Sequence, residues 1–312
     1  MDVIDWLLQG DPAIRWQVMA DLSGAPPDDV AAQRALVASE GWGARLLSLA
    51  DADGLWAGGA CFPAGYEWDE TGQPWTATMH TLQSLLILGL DPACPEARRV
   101  VALVAENCRW EHDGQRYFDG EVEPCINGGA LANAAYFEQD GSHICETLLA
   151  GQLADGGWNC WDEDGTSRSS FHSTICALEG LWGWERAGGG SDAITAARRR
   201  GEEYVLDRRL FRRASTGETV DPRFLMPSFP TRWYYDVLRA LDYFRLARPE
   251  RDERCADAID LLRAKMLPFG LWKLELTHQG PTLFEFDGEH EGFPSRWITL
   301  RALRVLRWWD GD

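Results

Sequence analysis

Gln152-Leu153-Ala154-Asp155-Gly156-Gly157-Trp158 decides the fold, because it is one copy of a pattern that recurs along the chain. Asp53-Gly54-Leu55-Trp56, Asp113-Gly114 with Tyr117, and Phe269-Gly270-Leu271-Trp272 repeat its glycine-then-aromatic theme, and Thr216-Gly217 is a weaker copy. Self-similarity of this kind marks stacked supersecondary units. Before the glycines lie charged segments with one apolar stripe, as in Cys94 to Trp110, where Val100, Val101, Leu103 and Val104 stand against Glu96, Arg98 and Arg99. After them come segments apolar on nearly all sides, such as Thr76 to Leu90, Ser170 to Trp184 and Thr231 to Phe244. A one-sided helix covers an exterior and a helix apolar all round is buried, so the pattern predicts outer and inner helices in alternation.

Ile4 to Leu22 and Ser295 to Trp309 read as further inner helices, which gives about six inner and five outer. Phe229-Pro230-Thr231-Arg232-Trp233 and Phe293-Pro294-Ser295-Arg296-Trp297 open two inner helices almost identically, with Thr231 and Ser295 as natural N-caps. No run sustains the period-two alternation of a strand. The expected architecture is all-α: a ring of about five to six helical hairpins forming a single domain over residues 1–312.

A chain of 312 residues, 45% of them apolar, is long enough for a sizeable core. Its formal charge of −19 argues against nucleic acid and anionic membrane surfaces as partners, since both repel an acidic body. Lys265 and Lys273 are the only lysines, a skew toward arginine that suggests a GC-rich bacterial genome. The N-terminus carries no basic leader and no run of apolar residues is long enough to span a bilayer, so the expected location is cytoplasmic. The eight cysteines follow no disulfide-framework spacing, and reduced, mostly buried thiols are expected.

Glu123-Pro124-Cys125, Gly157-Trp158-Asn159-Cys160 and Phe171-His172 each lie at or just before the start of a helix-like run. Together they offer a carboxylate, two thiols and an imidazole, the ligand types that zinc takes. Cys125, Cys160 and His172 are therefore the candidate zinc ligands, with Glu123, water or substrate in the fourth position, and open coordination there would imply catalysis. The plain alternative is core packing, which is also the reading adopted for Cys176. Arg232 and Arg296 are candidate substrate contacts, because a guanidinium fork suits carboxylate or diphosphate. His80 and Trp75, at the Thr76 helix, are further candidates for the same cavity, and Asp236 and Tyr234 are candidate acid–base groups. The tryptophans of the repeat loops read mainly as structural wedges.

The run at 152–158 resembles the Gln-Trp repeat of squalene cyclases, and the alternating helices resemble the α/α-toroid of terpenoid cyclases and protein prenyltransferase β subunits. The resemblance implies an (α/α) toroid whose inner helices line a funnel, with the three ligand-bearing stretches around its mouth. Prenyltransferase β subunits hold zinc with an Asp-x-Cys element and a histidine on the next inner helix. Glu123-Pro124-Cys125 followed by His172 keeps that order, with Glu in place of Asp and the histidine one residue farther from Gly180-Leu181. The chain is much shorter than a squalene cyclase, and Asp162-Glu163-Asp164 does not reproduce the cyclases' Asp-rich acid motif. The expected function is a zinc-dependent enzyme acting on a small apolar or isoprenoid-like substrate by hydrolysis, elimination or alkyl transfer. Two alternatives stand beside it: a metal-free cyclase using Asp236 or Glu121 as acid, and a non-catalytic toroid that binds lipid or peptide. The oligomeric state is left open.

Overall fold

The computed structural model describes residues 2–67, 72–160 and 167–311. Among them the fold is all-α: the extended pairings are isolated bridges, such as Trp158 with Ser170. Asp162-Glu163-Asp164 lies outside the described residues. The chain forms two compact units, one comprising Met1–Trp42, Val205–His278 and Phe284–Asp312, the other Gly43–Tyr204 and Gln279–Leu283.

The first unit contains α1 (Val3–Leu7), α2 (Pro12–Asp21) and α3 (Pro27–Ala35); the second contains most of α4 (Gly41–Ser48), α5 (Thr78–Leu88), α6 (Pro95–Asn107), α7 (Pro124–Tyr136), α8 (Ser142–Ala150), α9 (Phe171–Trp184) and most of α10 (Asp192–Leu206). The first unit also holds α11 (Val237–Ala247), α12 (Ala256–Ala264) and α13 (Arg296–Asp310). Its aromatic core joins Trp42, Phe229, Phe286 and Trp297 within 4.7–6.4 Å between ring centroids.

In the second unit α5, α7 and α9 are buried nearly all round, while α6 buries one stripe formed by Ala97, Val100, Val101 and Val104. Helices α7 and α9 meet backbone to backbone. A Cβ added at Gly128 would stand 2.3 Å from the Cys176 carbonyl, and one at Gly180 would stand 2.4 Å from the Gly128 oxygen.

The sequence repeat becomes a repeat of hydrogen bonds. Trp56, Trp158 and Trp272 are fully buried, and their indole N–H groups donate to Leu46, Leu148 and Leu262 O at 2.7–2.8 Å. Their backbone N–H groups donate to the hydroxyls of Thr78, Thr174 and Thr299 on the following helices. Each indole thus closes the end of the preceding helix, where carbonyls lack helical partners, and each threonine fixes the start of the next.

Several boundaries differ from the expected ones. Ile4 to Leu22 is broken in two, because Asp11 accepts from Ala13 N at 2.9 Å and Pro12 opens a new helix. Ser295 caps α13 by accepting from Ile298 N, but Thr231 caps nothing of the kind. Arg232 adopts φ 55, which a helix excludes, and α11 begins only after Asp236, whose carboxylate accepts from Arg239 N at 2.8 Å.

Candidate metal centre

Gly120, with φ 88, turns the chain toward α7. The buried Asn127 holds this turn by accepting from Glu121 N at 2.8 Å and donating to Glu121 O. Glu123 occupies the N-cap position, Pro124 starts the helix with its preset φ, and Cys125 sits in the first turn. Cys160 arrives from the Trp158 loop, which Ser170 N joins through Trp158 O at 2.8 Å. Ser173 positions Cys160: its hydroxyl accepts from Cys160 N at 3.3 Å and lies 3.2 Å from the sulfur.

These elements bring a carboxylate oxygen of Glu123 and the sulfurs of Cys125 and Cys160 within 4.8 Å of one another. Glu123 is exposed, Cys125 is buried and Cys160 is half-buried. The Cys125 thiol donates to Glu123 Oε2 at 3.5 Å. Its pKa is pushed well above the ordinary value, first by its hydrogen bond with Cys160, then by burial and by the charges of Cys160, Cys176 and Glu123. Two thiols and a carboxylate crowded in this way suit a cation, which would offset the repulsion that ionising the thiols creates, and sulfur ligands favour zinc over magnesium or calcium.

His172 does not belong to this group of three. It sits half-buried in the first turn of α9, one residue before Ser173. Ser173 is a neighbour of the cluster that the sequence did not single out, and Cys176, expected as a core residue, also lies near enough for its charge to act on Cys125. Both are buried, and their i,i+3 spacing on α9 is the signal that places them on one face.

Glu123 also lines a cleft of about 510 Å³ together with Glu121, Glu111, Phe62, Tyr66 and Cys61. Phe62 and Tyr66 stack at 5.5 Å. The Glu111 carboxylate is committed to the backbone, accepting from the N–H groups of Ala60, Cys61 and Phe62 at 2.9–3.1 Å. Glu121 accepts from Glu123 N at 2.6 Å; burial raises its carboxyl above the ordinary range, with the backbone N–H of Glu123 opposing. The Cys61 thiol is also raised well above normal, by burial and then by the charges of Glu111, Glu123 and Glu121.

The remaining candidates sit in specific structural settings. His80 is buried on α5, 3.9 Å from the Cys61 sulfur, with Trp75 edge-on at 5.0 Å. Trp75 donates to Gln279 O through its indole and to Pro281 O through its backbone. Arg232, Tyr234, Asp236 and Arg296 belong to the first unit, whereas the three-residue cluster and the cleft belong to the second. Asp236 accepts from the backbone N–H and hydroxyl of Ser228 as well as from Arg239 N. Tyr234 stacks between Trp233 and His278 at 3.8 and 3.9 Å, and burial raises its hydroxyl. Burial lowers the Arg232 guanidinium to about 9. Arg296 lies 4.5 Å over the Trp6 ring and donates to Trp6 O.

Comparison with protein-family models and with curated proteins gives no match. No helix among the described residues is long and apolar enough to cross a membrane.

Proposed function

We propose that the protein is a zinc-dependent enzyme in which Glu123, Cys125 and Cys160 bind the metal at the edge of the cleft. The observation that carries this reading is the convergence of three zinc-type donors within 4.8 Å, one of which also lines a 510 Å³ cleft. Three protein ligands leave a coordination position for water or substrate, the arrangement of catalytic rather than structural zinc sites. A zinc ion held there supplies Lewis-acid polarisation or a water or thiol activated near neutral pH. The protein's own part is to seat the substrate. Phe62 and Tyr66 offer an apolar wall, and Ser173 and Asn127 fix the loops that carry the ligands. The substrate class that fits is small and largely apolar, processed by hydrolysis, elimination or alkyl transfer. The resemblance to squalene cyclases and prenyltransferase β subunits is consistent with an isoprenoid-like skeleton.

A second reading has its own observation. Glu121 lines the same cleft and burial holds its carboxyl above the ordinary range, as a general acid requires. Elemental analysis of protein purified without a metal-affinity tag separates the two. Near-stoichiometric zinc in the wild type, lost in Cys125→Ala and Cys160→Ala while helical circular dichroism is retained, supports the metal reading. Folded, metal-free wild-type protein overturns it and leaves acid catalysis at Glu121 or a binding module.

A further inference from the structure

We infer that Cys125 and Cys160 are also an oxidation site, converted by hydroperoxides to a disulfide that expels the metal; the expulsion, though not the disulfide, rests on the proposed zinc site. All eight cysteines are free thiols, and these two have sulfurs within 4.8 Å of each other. A disulfide requires about 2 Å between sulfurs, so closure is a local movement. The two partners differ in a useful way. Cys125 is fixed in the first turn of α7, whereas Cys160 lies in a loop and is half-buried, so an oxidant reaches Cys160 first. The Ser173 hydroxyl lies 3.2 Å from the Cys160 sulfur, and Glu123 accepts from the Cys125 thiol at 3.5 Å, so each sulfur has a polar neighbour that anchors it within reach of the other.

The chemistry balances in two steps. The Cys160 sulfur attacks the O–O bond of a hydroperoxide; an S–O bond forms, the O–O bond breaks, and the alcohol, or water from hydrogen peroxide, leaves with the thiol proton. The sulfur is oxidised by two electrons to a sulfenic acid as the peroxide is reduced. The Cys125 sulfur then attacks the Cys160 sulfur, the S–S bond forms, the S–O bond breaks, and the departing hydroxide takes the Cys125 proton as water. Two of the three metal donors are consumed, so disulfide and metal exclude each other. Bound zinc must then protect the pair to the same degree that oxidation weakens zinc binding.

The full chain, stripped of metal by chelator dialysis, is treated with one equivalent of hydrogen peroxide and mapped by non-reducing peptide mass spectrometry. The expected product is a Cys125–Cys160 linked peptide that dithiothreitol reverses. Zinc-loaded protein is expected to release zinc to a chromogenic chelator in step with disulfide formation, and at least tenfold more slowly than the metal-free protein forms the bond. Cys160→Ser should abolish the link with the circular dichroism unchanged, and Cys176→Ser should leave it intact. Sulfinic acid on either residue, a link through Cys176, or inert thiols in folded protein overturns the inference. A disulfide in protein that never binds zinc upholds the oxidation site and removes its metal clause. Tight zinc binding without disulfide formation removes the oxidation site and leaves the metal reading standing.

Discussion

Glu289 couples a single charge to folding. Its carboxylate accepts from the Ser295 hydroxyl and from Trp297 N at the start of α13, and burial raises its pKa from 4.5 to about 7 against those hydrogen bonds and the Arg296 charge. A raised folded-state pKa means that the native protein binds the proton more tightly than the unfolded chain does. The associated stability is full below pH 4.5 and is lost as pH rises to about 7. The loss is about 3 kcal/mol at 1.36 kcal/mol per pKa unit. Glu289→Gln should flatten the urea stability profile between pH 5 and 7, and an unchanged slope would refute the assignment. The residue scale also shows how far a site is legible in sequence. Glu123, Cys125 and Cys160 stood out because they are ligand types at helix starts and in a repeat loop. His172 carried the same signal but is not among the three clustered donors; it follows the cap of α9, where Ser170 accepts from Ser173 N. Phase at a first turn depends on where the cap falls, and spacing alone does not report that.

Among elements, the repeat loops are the units that the sequence declared most plainly, because a buried indole needs an N–H acceptor and found a helix-end carbonyl three times over. Trp158→Phe keeps most of the apolar volume and removes the donor to Leu148 O. It should cost about 1–3 kcal/mol, since a buried carbonyl loses its partner, and thermal or urea denaturation will measure it. Gly128→Ala tests the contact between α7 and α9. Its methyl would meet backbone rather than a yielding side chain, at 2.3 Å, so a loss of at least about 1–3 kcal/mol is expected. A stability equal to wild type would show that the helices separate without penalty. Buried helices such as α5 and α9 were legible because all-round apolarity means burial on every side. The late start of α11 was hidden, because the motif that opens α13 is repeated there in residues while Arg232 takes a left-handed conformation that composition does not announce.

For the whole molecule, the charge of −19 supplies both a test and its control. An acidic protein gains stability from any divalent cation that screens self-repulsion, so stabilisation by zinc alone would say little about a site. The donor set discriminates: magnesium prefers oxygen ligands in octahedral geometry, whereas two thiolates select zinc. Zinc at about one hundred times its dissociation constant should stabilise the native state by about 2.7 kcal/mol. In domains of roughly 150–250 residues each kcal/mol moves the midpoint by about 2–4 °C. Scanning calorimetry of the metal-stripped full chain should therefore show a zinc-dependent rise of about 5–10 °C, reversed by chelator, absent in Cys160→Ser and absent with magnesium at the same concentration. Equal shifts with both ions would mean that diffuse charge, not Glu123, Cys125 and Cys160, binds the cation. A shift kept in Cys160→Ser would move the site away from these three residues, because the remaining carboxylate and thiol lack the donors to distinguish zinc from its competitors.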